Sequence, residues 1–87
     1  MTVRGRRRYP TEDAPVPVFD PGDYGKDSEG SWWCIPPAAG IAGGKLTLHI
    51  VVEHEDGTVT VGGSILLPGG HGRAWHGYLT RGEWSEA

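Results

Sequence analysis

The sequence lacks most of the features that would assign it to a secreted or a membrane protein class. Its single cysteine, Cys34, cannot form an internal disulfide, which argues against a disulfide-stabilised secreted domain. No apolar run approaches the length that a transmembrane helix needs, and the N-terminus lacks the apolar segment of a signal peptide. We therefore expect a protein of a reducing compartment with no membrane contact.

The sequence also lacks helical periodicity and a strong charge of either sign. No stretch of about ten residues repeats apolar side chains at helical spacing. The 15 glycines and 7 prolines favour turns and extended chain instead. The formal net charge of −3 is too weak to attract nucleic acid in general. At 87 residues the chain makes one small domain, for which we predict an all-β fold.

The stretch from residue 45 to residue 67 is the main element of the predicted fold and is typical of one β-hairpin. Its first arm alternates apolar and polar residues, as a half-buried strand does. The dipeptide Asp56-Gly57 suits a two-residue type I′ turn, which would pair Val52 with Val61 and His49 with Ser64. The predicted buried face consists of Leu46, Leu48, Ile50, Val52, Val61, Ile65 and Leu67.

Residues 74 to 84 predict a second hairpin. A short strand begins at Ala74, and Arg81-Gly82 makes a tight turn that places Leu79 opposite Trp84. The large side chains of this segment add bulk to a core that the first hairpin alone would hardly complete. The two hairpins together predict a small antiparallel meander or sandwich-like domain over residues 31–87.

Residues 1–30 differ in composition, with four of the seven prolines and few large apolar side chains. We expect an extended or disordered proline-rich arm with little structure of its own, in which residues 15–19 are suited to cover a sheet edge. Four arginines at its start could neutralise the phosphates of a nucleic acid, although a solvated tail is the simpler interpretation. These arginines are Arg4, Arg6, Arg7 and Arg8.

Trp32 and Trp33 are the candidate partner-binding residues. Both lie in a segment rich in strand formers, and adjacent residues of a strand point to opposite faces. One indole therefore enters the core, while the other is exposed or meets a partner. We expect the domain to form a homo-oligomer or to dock on another protein through an edge strand and one of these tryptophans.

The glycine-rich loop at residues 68–73 is the candidate ligand site. Successive backbone N–H groups of such a loop can form an anion nest, a guanidinium adds a phosphate donor, and an exposed indole could stack a base. This chemistry suits a nucleotide or single-stranded nucleic acid, but the loop matches no phosphate-binding fingerprint, so a mobile connection is the alternative. The candidate residues are Gly70, His71, Arg73, Trp75 and His76.

Cys34 and the four histidines are the candidate metal ligands, but their spacing matches no zinc motif. His49 and His54 would lie on opposite faces of one strand. Ser64 stands beside His49 without an evident acidic partner and outside any nucleophile elbow. We therefore predict no catalytic residue, no metal ligand and no cofactor.

Three segments carry a family resemblance: EHEDGT at 53–58, SI at 64–65 and WHGYLTRGEW at 75–84. Over about residues 31–84 the chain resembles small proteins of actinobacterial bacteriophages that share a domain of unknown function, and the decapeptide is the most specific part. Many members have proline where this chain has Gly63, and wider relatives carry cysteines near the His-Gly pair that are absent here. The resemblance implies a phage origin and carries no family-wide metal site over to this chain.

The favoured hypothesis is a non-enzymatic phage accessory protein that binds a host factor or a small nucleotide-like ligand, as in host takeover or counter-defence. Its expected location is the host cytoplasm. The alternative is a minor structural or decoration protein of the virion, whose proline-rich arm lies along neighbouring subunits. A small zinc-binding domain is the second alternative.

Overall fold

The computed structural model describes residues 2–38, 40–69 and 73–87, and the regular elements of this part of the chain are all β-strands. None of the described residues belongs to a helix that could cross a membrane. The strands are β1 (Val3–Arg4), β2 (Arg6–Arg8), β3 (Asp23–Lys26), β4 (Trp32–Cys34), β5 (Gly44–Lys45), β6 (Val51–Glu53), β7 (Val59–Val61), β8 (Ile65–Pro68), β9 (Ala74–Thr80) and β10 (Glu83–Glu86).

The strands form two four-stranded sheets and one hairpin. The first sheet has the order β1-β10-β9-β8 and is antiparallel throughout. The second has the order β2-β3-β4-β5, and its first two strands run parallel. Strands β6 and β7 pair only with each other. The predicted all-β fold is confirmed, and the strands of residues 31–87 pair antiparallel with one another as predicted, while β2 and β3, which lie before residue 31, run parallel.

The N-terminal residues are part of the domain. The expectation of little structure before residue 31 is wrong, because β1, β2 and β3 all lie there and β3 is a central strand of the second sheet. Tyr24 of β3 is buried in the core, and Pro17 is also buried. The Cα radius of gyration is 12.0 Å, which matches the value of about 12 Å for a compact domain of this length. Residues 2–30 therefore form part of the domain, with β1 and β3 paired to strands of the later chain.

The predicted hairpin near the C-terminus is confirmed. Strands β9 and β10 pair with Leu79 opposite Trp84 and with Thr80 opposite Glu83. The turn consists of Arg81 and Gly82, whose φ angles are 47° and 77°. Two consecutive residues with positive φ are the signature of a type I′ turn, which matches the twist of the two strands.

The loop at Asp56-Gly57 differs from the predicted two-residue turn. The Gly57 N–H donates to the His54 carbonyl at 3.0 Å, the His54 N–H donates to the Thr58 carbonyl at 2.8 Å, and Gly57 has a φ of 86°. This is a three-residue loop of the kind that ends in a glycine bulge. The extra loop residue shifts the register by one, so that Val61 lies opposite Val51.

The shifted register changes which side chains are buried. Val59 and Val61 face the core, whereas Val52 is 51% exposed, and residues 46–50 leave the sheet so that Leu48 and Ile50 are 94% and 77% exposed. Of the predicted buried face, Leu46, Val61 and Ile65 are buried, Leu67 is half-buried, and Leu48, Ile50 and Val52 are exposed. The two ends of the predicted hairpin pair with other strands instead. Lys45 lies opposite Trp33, and Leu67 lies opposite Trp75.

The core lies between the inner faces of the two sheets and β7. Its largest members are Trp75 and Trp84, whose rings meet edge to face at 84° with centroids 5.4 Å apart. The Trp84 indole N–H donates to the Gly22 carbonyl at 3.0 Å, which ties β10 to the chain leading into β3. The buried apolar residues are Tyr24, Cys34, Ile41, Leu46, Val59, Val61, Ile65, Trp75, Leu79 and Trp84.

Candidate functional site

The structure separates the residues of the predicted ligand loop. Gly70 and His71 lie outside the described residues, and Arg73 is exposed. Trp75 and His76 are neighbours on β9 and so point to opposite faces, Trp75 into the core with 4% exposure and His76 into solvent. The Trp75 indole is therefore not free to stack on a base, and Arg73 and His76 remain as the exposed candidates.

The two candidate partner-binding tryptophans are half-buried, and each is engaged within the chain. The Trp33 indole N–H donates to the Asp27 carboxylate at 2.8 Å. This bond, together with the Ser31 and Glu29 amides, lowers the pKa of Asp27. Trp32 packs against the core, and the Lys26 ammonium lies 5.3 Å from the centre of its ring. Neither indole stands out as an open apolar surface.

Arg7 makes contacts within the chain that the sequence did not reveal. Its guanidinium lies between the rings of Tyr9 and Trp32, at 4.6 and 4.8 Å from their centres. It donates to the Gly57 carbonyl at 2.8 Å and to the Glu53 carboxylate at 3.0 Å. We call this set the Arg7 clasp, because it fastens strand β2 to the β6–β7 hairpin.

Arg8 is also held by the chain itself. Its guanidinium donates to the carboxylates of Asp20 and Asp23, both at 3.0 Å. Asp23 is buried, and the same carboxylate oxygen accepts the backbone N–H groups of Phe19 and Asp20. The basic segment thus divides into Arg7 and Arg8, which stabilise the fold, and Arg4 and Arg6, which are exposed and keep the predicted ability to meet a phosphate.

The candidate metal and nucleophilic groups do not converge in the part of the chain that the structure describes, where no three potential metal ligands form a group. Cys34 is fully buried, and burial raises its pKa to about 12, so the thiol stays protonated at neutral pH. The His49 ring donates from Nε2 to the Ser64 carbonyl at 2.9 Å, and His54 Nε2 lies 2.7 Å from the Thr60 hydroxyl. Both histidines therefore have hydrogen-bond partners within the fold.

The surface feature that the sequence reasoning missed is a row of exposed aliphatic side chains. We call Leu48, Ile50 and Val52 the apolar row. Val52 lies on β6, Ile50 directly precedes that strand, and Leu48 lies in the turn before it. The backbone beneath them is anchored, because the Ile50 carbonyl accepts the Gly62 N–H at 2.7 Å. The alternation that predicted burial is the sequence signal of these side chains; the shifted register exposes Val52, whereas Leu48 and Ile50 are exposed because a turn takes residues 46–50 out of the sheet.

Three concave sites lie elsewhere on the surface of the described residues, and the third, of about 240 Å³, is lined by Pro15, Val16, Asp27, Ser28 and Glu29. The first, of about 320 Å³, is lined by His54, Glu55, Asp56 and Arg81. Its Asp56 carboxylate accepts the hydroxyl and the amide of Thr58, which lowers the pKa of Asp56. The second, of about 170 Å³, lies at the end of the first sheet beside Trp75 and Trp84.

The exposed features of the described residues lie on several separate surfaces. The apolar row, the exposed Arg4 and Arg6, and the three concave sites are groups that a partner or a ligand could contact. The predicted binding role and the phage resemblance both stay predictions. No family model, no curated protein and no solved structure matches this chain.

Proposed function

We propose that this chain is a non-enzymatic phage accessory protein that binds a protein of the host through the apolar row. The observation that supports the proposal is that Leu48, Ile50 and Val52 are exposed and do not belong to the buried core. Single apolar side chains on a surface are ordinary, whereas three exposed within five residues support an interaction site. The phage origin rests on the resemblance of residues 31–84.

The energy available from the apolar row is sufficient for a useful contact. Full burial of one leucine, isoleucine or valine side chain is worth about 1.5–3 kcal/mol, so the row offers several kcal/mol. Part of this is offset by the loss of translational and rotational freedom on association. Because the row belongs to an anchored segment, little further ordering of the backbone is needed on binding.

The charges around the row suggest the partner's character. Glu53, Glu55 and Asp56 follow the row directly in sequence and are exposed. A host protein with an apolar groove and a basic rim would complement this surface, because opposite charges at a rim steer association. The Arg7 clasp engages Glu53, which leaves Glu55 and Asp56 as the carboxylates facing such a rim.

The other proposed roles gain less support from the geometry. A nucleotide-like ligand at residues 68–73 retains Arg73 and His76 but loses the buried Trp75. The virion role invoked an arm lying along neighbouring subunits, yet strands of residues 2–30 pair within their own chain. The zinc role would need Cys34, whose thiol is buried and protonated.

The proposal is tested by affinity capture from a host lysate with the wild-type chain and with the double variant Leu48→Ser, Ile50→Ser. We expect a defined host protein to bind the wild type, to be lost with the double variant, and to be retained by Tyr78→Ser, which alters an exposed side chain on another strand. Mass spectrometry of purified virions provides the second arm. Stoichiometric amounts of the chain in virions, or capture that the double variant leaves unchanged, would contradict the proposal.

A further inference from the structure

The second arm of the hairpin predicted from the sequence, residues 58–67, keeps one face toward the core along its whole length. Val59 and Val61 of β7 are buried, and so is Ile65 of β8, all at odd-numbered positions. A glycine pair joins the two strands, and its second member, Gly63, has a φ of 81°. A glycine leaves that conformation for an extended one at little cost. The second arm therefore has the side-chain pattern of one continuous strand with a bend at the glycines.

The backbone N–H and C=O of Leu66 in this arm point away from strand β9. The Ala87 N–H donates to the His76 carbonyl at 3.0 Å, so the backbone groups of His76 face β10. Leu66 lies directly opposite His76. Two opposite residues of an antiparallel pair either exchange both hydrogen bonds or direct their groups outward, and these two direct them outward. Among the described residues no strand pairs with this outer edge of β8.

The first arm of the predicted hairpin, residues 45–55, already lies beside the second arm. The Ile50 carbonyl accepts the Gly62 N–H at 2.7 Å, and the His49 ring reaches the Ser64 carbonyl at 2.9 Å. His49 Nδ1 is buried and has no hydrogen-bond partner among the described residues, an arrangement that costs stability. The observed register therefore holds the first arm against its neighbour without satisfying every polar group.

A shift of the first arm by one residue would use the outer edge of β8. With Asp56-Gly57 as a two-residue turn, Thr47 would form a hydrogen-bonded pair with Leu66, whose backbone groups already point outward. The second arm would therefore keep its orientation while the first arm slides along it. Leu48 would then lie opposite Ile65, so the apolar row would face the core.

The shift is compatible with the pairing of β5 to β4. The Leu46 N–H donates to the Trp32 carbonyl at 2.8 Å. Neighbouring residues of an extended strand direct their backbone groups to opposite edges, so an extended Thr47 would face away from β4. The turn at residues 47–48 is the part of the first arm that must straighten.

We propose that the first arm slides between two registers: the observed one, which exposes the apolar row, and the register of the two-residue turn, which buries it. The Arg7 clasp is the latch, because its bond to the Glu53 carboxylate requires the observed register. The observed register predominates in the free chain, and a partner bound to the row stabilises it further. This regulatory role rests on the proposed function, whereas the slide itself is a property of the chain alone.

Relaxation dispersion of the backbone amides in the full chain tests the slide. We expect exchange with a minor state of about 1–10% at residues 47–54 and Gly63, and none in the β9–β10 hairpin. Arg7→Lys weakens the latch and should raise the minor population about fivefold, with Arg6→Lys as the unchanged control. Leu48→Ser removes an apolar group that only the second register buries, so it should lower the minor population. Absence of exchange, or a minor population that neither Arg7→Lys nor Leu48→Ser alters, would overturn the slide.

Cysteine pairs trap each register separately. Val52→Cys with Val61→Cys places two thiols opposite each other only in the second register, whereas Val51→Cys with Val61→Cys does so in the observed one. Oxidised glutathione accepts the two electrons of each disulfide that forms, and Cys34 does not compete because it is fully buried. We expect both pairs to form a disulfide, the first about tenfold to a hundredfold more slowly, with the β9–β10 signals unchanged. A first pair that stays reduced would contradict the slide.

The trapped chain separates a failure of the slide from a failure of the proposed function. A host protein captured by the wild type should not bind the chain with the disulfide between positions 52 and 61, and should bind it again after reduction. If the disulfide forms and capture is unchanged, the slide stands and the apolar row is not the contact. If the disulfide does not form, the slide is wrong and the proposed function is unaffected.

Discussion

The hairpins β6–β7 and β9–β10 have turns of different length, and the lengths are the reverse of what their turn dipeptides favour. The dipeptide Asp56-Gly57 has the stronger preference for a two-residue turn, yet it lies in a three-residue loop with a bulge at the glycine. Arg81-Gly82 has the weaker preference and forms the two-residue turn. A dipeptide therefore permits a turn type here without determining it.

The Arg7 clasp gives a physical reason for the longer loop. In the observed register Glu53 lies opposite Val59, where its carboxylate reaches the guanidinium of Arg7, and the Gly57 carbonyl accepts from the same group. A two-residue loop would move Glu53 to the other face of the hairpin, because a shift of one residue reverses every side chain. Contacts with a residue far away in sequence thus stabilise the register that exposes the apolar row.

The largest expected loss of stability comes from substitution of the turn glycine Gly82, and it should exceed the loss from the same substitution at Gly57. A Cβ at Gly82 would lie 2.7 Å from the Tyr24 hydroxyl and 3.0 Å from Thr58, whereas one at Gly57 would have 3.4 Å to its nearest neighbour. Both positions have positive φ, which costs an alanine about 1 kcal/mol. We expect Gly82→Ala to lower the free energy of unfolding by about 2–4 kcal/mol and Gly57→Ala by about 1 kcal/mol in urea titrations. A larger loss for Gly57→Ala would contradict the assigned loops.

The next largest expected difference in stability is between alanine substitutions at two valines of the β6–β7 hairpin. Val61 is buried, whereas Val52 belongs to the exposed row. We expect Val61→Ala to cost about 2 kcal/mol of unfolding free energy and Val52→Ala less than about 0.5 kcal/mol, both measured by urea denaturation. The two-residue turn would bury both valines, so similar losses for the two variants would support that register instead.

A smaller effect is expected from the Arg7 clasp. Lysine cannot reproduce the forked donors or the stacking between Tyr9 and Trp32, so Arg7→Lys should cost about 1 kcal/mol. The loss should appear as faster amide exchange in the β6–β7 hairpin, with the β9–β10 hairpin unchanged. Arg6→Lys, on the same strand but exposed, is the control and should have no measurable effect. Equal amide exchange of the β6–β7 hairpin in the Arg7→Lys and Arg6→Lys variants would show that the Arg7 clasp does not stabilise this register.

The smallest effect is a local dependence on pH. Hydrogen bonds from the Thr58 hydroxyl and amide lower the pKa of Asp56 below its ordinary value of 3.8. The stability contributed by these bonds is therefore fully present above pH 3.8 and is lost as the pH falls through the lowered folded pKa. The Thr58 amide resonance should report this step, and Asp56→Asn should abolish it. A titration step of the Thr58 amide at or above pH 3.8 would contradict the hydrogen bonds between Asp56 and Thr58.

The sequence predicted the fold where local signals agree. Along β9, Trp75 and Leu79 alternate with polar residues, and the turn that follows accommodates two residues with positive φ, so both strand and register were predictable. The strands β1 to β3 were not, because their short segments gain stability only by pairing with β10 and β4. Composition alone therefore could not distinguish them from a flexible arm.

The candidate sites were predictable to a smaller extent. Residue type indicated that Arg73 and His76 would be available, but the burial of Trp75 depends on its packing against Trp84, which periodicity does not specify. The apolar row was predicted to be core because its alternation is that of a half-buried strand, whereas the structure has a turn at residues 47–48 and a register shift in β6. Local and global preferences disagree at the row, as they often do at functional sites.

The register of the β6–β7 hairpin is the central structural claim, since the exposure of Val52 follows from it and the longer alternative hairpin would return Leu48 and Ile50 to the sheet as well. Interstrand nuclear Overhauser effects measure it directly in the unmodified chain. We expect contacts that pair Val51 with Val61 and Val52 with Thr60. Contacts that pair Val52 with Val61 would establish the two-residue turn, return the row to the core and contradict the proposed binding surface.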